Sequence, residues 1–126
     1  MSEPPVVLDG TRVVEYASVG SVLHPTGRIS AAVGGVPVDL SSVRAVALTE
    51  ALADDGFFVI HCDENWSTLA AGHYPRLEDA RASAESAYAG IASSWTKFRE
   101  LSAQESEEVE TTRKFLRELA AQFPNQ

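Results

Sequence analysis

The residues of this chain with the most reactive side chains gather in one short stretch. His61-Cys62-Asp63-Glu64 is followed by Trp66 and then by His73. Imidazole, thiolate and carboxylate are the ligands that zinc takes, with bonds of ~2 Å. A thiol beside an imidazole is also the pairing used for nucleophilic catalysis. The local pattern opposes both uses. His61 and Cys62 are neighbours in an apolar, strand-like segment, so their side chains project to opposite faces. Pairing Cys62 with Ser67, Ile60 with Leu69 and Phe58 with Ala71 sets His61 near Thr68, and His73 lies five residues further on. At about 3.4 Å per residue the two imidazoles would stand roughly 17 Å apart, too far to share an ion. The loop His24-Pro25-Thr26-Gly27 could bring His24 towards Cys62, but nothing in the sequence demands it. No metal and no cofactor is expected. Asp63, Glu64, Trp66 and His73 remain as candidate binding residues, with Trp66 either partly exposed in an acid-rimmed turn or folded back as a lid on its hairpin.

Motif searches elsewhere find little. There is no Gly-x-Ser-x-Gly elbow, phosphate loop, dinucleotide fingerprint or zinc-protease helix. Gly34-Gly35 reads as a hairpin turn. The acid pairs Asp54-Asp55, Asp63-Glu64 and Glu78-Asp79 fall where turns and helix starts recruit acids. No catalytic residue is assigned. Ten basic and eighteen acidic residues in 126 give a net charge of −8. That balance argues against a nucleic-acid partner, because binding phosphates needs clustered cations. The single Cys62 excludes an internal disulfide. The N-terminal residues lack a signal pattern and no apolar run is long enough for a membrane span, so a cytoplasmic protein is expected.

The elements that position these residues can be read from periodicity. Residues 1–10 read as a tail ending in the Asp9-Gly10 turn, and Arg12 to Ala17 as the first strand. Arg28–Val33 and Val36–Leu40 form a hairpin about Gly34-Gly35, with Pro37 confining the second strand to a sheet edge. Val43, Val46, Ala47, Leu48, Ala51 and Leu52 recur at helical spacing, predicting a helix from Ser41 that stops at Gly56. Gly56 to Cys62 is apolar on both faces, as a central strand would be, and Ser67 to His73 is its hairpin partner. Leu77, Ala80, Ala84, Tyr88 and Ile91 lie on one face of a helix that ends at Gly90. Ser102-Ala103-Gln104-Glu105 is a capping-box pattern opening a helix to Phe123. Its expected stripe is Val109, Thr112, Leu116, Leu119 and Phe123, with Phe115 beside it. That stripe either closes the core of one chain or pairs with a second copy.

The unit from Gly56 to Trp95 resembles a family of small uncharacterised bacterial proteins. The resemblance rests on Phe57-Phe58, Cys62-Asp63, Trp66, His73, Glu78-Asp79-Ala80, Ala84-Glu85, Tyr88, Gly90 and Trp95. The family carries an Asp-Thr pair where this chain has Ala70-Ala71, and a Glu where it has Ala87. The resemblance implies a hairpin followed by an acidic, Ala-rich helix, and implies no activity.

Together these readings predict one α+β domain, a small antiparallel sheet of about five strands packed with two to three helices. The expected role is non-enzymatic, through contacts with a protein partner or a homodimer, with no nucleic acid and no membrane. The acidic Trp66 turn is the expected face. Two alternatives stand beside it. One is an acidic neutraliser of a basic partner, of the antitoxin or immunity type. The other is a small enzyme with a site near Cys62 and His73.

Overall fold

A computed structural model describes residues 3–19, 31–33, 36–38 and 42–122. The architecture is α+β. Strands β1 (Val7–Leu8), β2 (Thr11–Ser18), β5 (Ala45–Ala51), β6 (Phe57–Cys62) and β7 (Thr68–Tyr74) pair in that order, every pairing antiparallel. A short β8 (Thr96–Lys97) pairs with β2 at Glu15 and Tyr16. Strands β3 (Ala31–Val33) and β4 (Val36–Val38) form a separate two-stranded sheet in which Val33 faces Val36. The pairing of the expected glycine hairpin is therefore present, while its Gly34-Gly35 turn and the His24 loop lie outside the described residues. The helices are α1 (Leu77–Ala87) and α2 (Ala103–Gln122).

Two readings are corrected. The segment expected to be a helix from Ser41 is β5, the central strand. Every β5 residue except Glu50 is buried. A run apolar at nearly every position satisfies a helical stripe and a two-faced strand equally, so periodicity cannot separate them. Pairing decides it, because β2 and β6 both hydrogen-bond to this segment. The expected tail is also partly ordered: Val7 and Leu8 pair with Arg12 and Thr11 across the Asp9-Gly10 turn.

The sheet has two apolar faces. On one, Val46, Leu48 and Val59 meet Ala80, Ala84 and Ala87 of α1, with Tyr88 and Ile91 closing the layer. The alanines let the helix approach closely, and all three are at most 1% exposed. On the other face, Val13, Ala45, Ala47, Ile60 and Cys62 lie beneath Trp66, Tyr16, Phe58 and Phe98. Small Ala45 and Ala47 leave room for these rings. Tyr16 meets Trp66 edge-on with ring centres 5.9 Å apart, and Phe98 at 6.4 Å. A register shift between Val13 and Glu15 switches the parity of β2. Val13 thus belongs to the aromatic face and Ala17 to the helix face. A bulge turns a strand's later side chains over in this way.

Helix α2 begins as its sequence dictates. Ser102 Oγ accepts from the Glu105 amide at 3.1 Å, and Glu105 accepts from the Ser102 amide at 2.9 Å. This reciprocal capping box satisfies two backbone donors. Val109 and Leu116 of α2 pack on Val6 and Leu52. Arg113 donates to Glu50 at 3.2 Å, and Arg117 Nε to the Leu52 carbonyl at 3.1 Å.

Gly56 joins β5 to β6 with φ of 108°. A Cβ there would stand 2.5 Å from His73 Nε2 and 2.9 Å from the Tyr74 carbonyl oxygen. Gly56→Ala is therefore expected to destabilise by about 2 kcal/mol or more, from backbone strain plus displacement of His73. Urea unfolding of the variant measures this, and a loss below about 0.5 kcal/mol would show that the turn relaxes freely.

Candidate functional site

The hairpin β6–β7 carries the predicted site residues, and its geometry disperses them. In the observed register Phe58 faces His73, Ile60 faces Ala71 and His61 faces Ala70. The expected pairing is displaced by two residues from Phe58 to His61, one from a longer turn and one from the bulge at Leu69. A shift at His61/Cys62 then brings Cys62 opposite Thr68 instead of Ser67. From Phe58 to His61 the displacement is even, so those side chains keep their predicted faces, whereas Leu69, expected opposite Ile60, is bulged and packs on the helix face.

Asp63 organises the turn. Its Oδ1 accepts from the amides of Asn65 at 2.8 Å and Ser67 at 2.9 Å. Glu64 is exposed beside it. Trp66 is 6% exposed and adopts a left-handed φ of 63°, which folds the indole back onto Tyr16. The lid reading of Trp66 holds and the exposed-anchor reading is corrected. A large apolar ring gains more by covering Cys62 and Ile60 than by facing water. Asp63 and Glu64 thus rim a turn whose aromatic is withdrawn.

His73 sits at the other end of the hairpin. Its Nε2 is 3.0 Å from the Asp55 carbonyl oxygen, to which the protonated nitrogen donates, and its ring lies 4.9 Å from Phe58. It clamps the Gly56 turn. Its partner Phe58 stands four residue steps along β6 from Cys62, on the order of 13 Å of strand. Cys62 is fully buried, and burial, with Asp9 and Asp63 nearby, pushes its thiol up to about 12. A thiol so placed stays protonated and is a poor nucleophile. Among the described residues, no group of three or more His, Cys, Asp or Glu side chains is placed to hold a metal ion.

His61 does find a partner that the sequence did not suggest. Its Nδ1 and the Tyr88 hydroxyl are hydrogen-bonded at 2.7 Å on the helix side of the sheet. Burial pulls the imidazole down to about 4 and pushes the Tyr88 phenol above its usual range. Both groups are neutral near pH 7. The pair fastens α1 to β6 and lies sealed from water, with His61 7% and Tyr88 0% exposed.

The exposed features lie elsewhere. Phe115 is 61% exposed and Leu119 42%, one turn apart on α2. They stand on a different side of the helix from Val109 and Leu116, so the expected single stripe is split. At about 100° per residue, Phe115 is roughly 120° from Val109, whereas Leu116, seven residues on, nearly overlies it. That angular signal was present in the sequence, and counting all apolar residues as one stripe hid it. Phe123 lies outside the described residues. No helix among the described residues is long and apolar enough to cross a membrane. Comparison with protein-family models, curated proteins and solved structures gives no significant match.

Proposed function

We propose that the protein works through macromolecular contact rather than catalysis, and that the outer flank of α2 carries the contact to a second copy of the chain. The supporting observation is the pair Phe115 and Leu119, both large, apolar and exposed on one helix side. Leaving such groups in water is unfavourable by about 25 cal/mol for each Å².

Charge selects the partner and its direction. On α2, Arg113 is engaged by Glu50, and Arg117 by the Leu52 and Asp54 carbonyls. Lys114 remains exposed, with Glu107 and Glu108 at the start of the helix and Glu118 near its end. In an antiparallel pair with Phe115 on the two-fold axis, Leu119 of each copy lies beside Thr111 of the other. Lys114 then comes within a turn of the other copy's Glu118. Glu107 and Glu108 meet the region of Gln122, whereas a parallel pair would oppose acids to acids. Self-complementarity of this kind is what a two-fold interface requires.

Sedimentation across a concentration series tests this. The wild-type chain is expected to approach twice the monomer mass, and Phe115→Ser with Leu119→Ser to weaken dimerisation by about 30-fold or more, on the scale of a hot-spot aromatic. Added salt is expected to tighten the dimer, because it screens repulsion between two chains of charge −8. A monomer at every concentration would overturn the reading. Association with a basic protein, weakened by salt, would replace it with the neutraliser reading. The enzyme reading near Cys62 and His73 draws no support from a sealed thiol and a distant imidazole.

A further inference from the structure

Along the edge of the sheet, the start of α1, the β2–β5 pair and strand β8 line a cleft of about 500 Å³. Phe57, Leu77 and Phe98 give it apolar walls. Its two acids are already engaged. Glu15, 5% exposed, is ion-paired with Arg81, and Glu50 accepts from Arg113 at 3.2 Å. Its remaining cations are Arg12 and Lys97. Arg12 Nε is buried and hydrogen-bonds to no atom among the described residues. Lys97 is exposed on β8, opposite Glu15 in the ladder, and forms no ion pair among the described residues.

An excess of positive charge thus sits in a concave, partly apolar pocket on a chain of net charge −8. A buried guanidinium nitrogen without a partner is unfavourable, and an entering anion relieves it. The volume falls in the usual range for small-molecule sites. We infer that this cleft binds a small carboxylate carrying an apolar body. The carboxylate lies between Arg12 and Lys97, and the body lies against Phe57, Leu77 and Phe98. A guanidinium and an ammonium supply the charge, and the three apolar side chains reject fully hydrated anions such as phosphate.

The test titrates the full chain with phenylacetate, inorganic phosphate and phenylacetamide, followed by amide NMR shifts at Arg12, Leu77 and Lys97. Phenylacetate is expected to saturate with a Kd of about 1 mM or tighter, and the other two to bind about tenfold more weakly. Arg12→Met and Lys97→Met are each expected to weaken phenylacetate binding by about fivefold or more, with the spectrum of a folded chain retained. Lys97 is exposed, so its variant keeps the test valid even where Arg12→Met unfolds. Absence of saturation, phenylacetamide binding equal to phenylacetate, phosphate binding equal to phenylacetate, or unaltered binding by a folded Lys97→Met chain would each overturn the inference.

Discussion

Truncating Tyr88 to alanine is expected to remove about 4 kcal/mol of stability, enough to unfold a marginal domain. Tyr88 is the largest fully buried side chain among the described residues, just beyond the end of α1, and its backbone amide still donates to the Ala84 carbonyl at 3.1 Å. Removing the ring opens a cavity among Val46, Leu48, Val59 and Ile91, and it also strands the buried imidazole of His61. The two contributions separate in Tyr88→Phe, which keeps the packing and deletes only the hydroxyl. That variant is expected to lose about 1–2 kcal/mol, the penalty of leaving one buried polar atom unpaired. Urea unfolding of both variants with linear extrapolation measures the split. Equal losses in the two would show that packing contributes nothing beyond the hydrogen bond. The alanine variant is also expected to loosen α1, and with it the Leu77 and Arg81 wall of the cleft.

Acidification through pH 6.5 to 4 is expected to lower stability by about 3 kcal/mol through His61 alone. The native imidazole is held down to about 4 by burial, against an ordinary 6.5 in the unfolded chain. Between these values the unfolded chain binds a proton that the native chain refuses. Stability therefore rises with pH across the window, is fully present above 6.5, and is lost as pH falls towards 4. His61→Gln cannot titrate and keeps a hydrogen-bonding group near Tyr88, so its stability is expected to be flat from pH 6.5 to about 5, above the carboxylate range. Glu105 enters only at the foot of this window, below about pH 4.5. Its pairing with Arg99 and its bonds with Ser102 hold it down to about 2 from 4.5, so its contribution fades at lower pH. Parallel loss in wild type and His61→Gln, or an NMR titration of His61 centred near 6.5, would contradict the buried neutral imidazole.

The same residues show where the sequence was legible. Helix α2 was read to within a residue at its start because the capping box is a local device with its own hydrogen bonds. Helix α1 and its alanine face were read from spacing, since Ala80 and Ala84 point inward only at helical period. Strands β6 and β7 were evident from an unbroken apolar run and a polar turn. Strand β5 was not, because its apolar residues occupy both parities and a helical stripe as well. Choosing between them required knowing that β2 and β6 flank it, and those partners are remote in sequence.

Among the candidate site residues, chemistry was legible and environment was not. The opposite facing of His61 and Cys62 followed from strand geometry alone, and it holds in the structure, where His61 meets Tyr88 and Cys62 lies under Trp66. The fate of Trp66 depended on a left-handed backbone angle and a ring from β2. The cleft joins Arg12, Leu77 and Lys97, residues that no local spacing connects. Composition and periodicity by themselves determined the α+β class, both helices and the acidic balance, because these depend on short-range order and on counting. Only tertiary structure decided which strand is central, which aromatic is covered and which cations line the cleft. Burial, and with it ionisation and pairing, is a property of chain segments brought together from a distance.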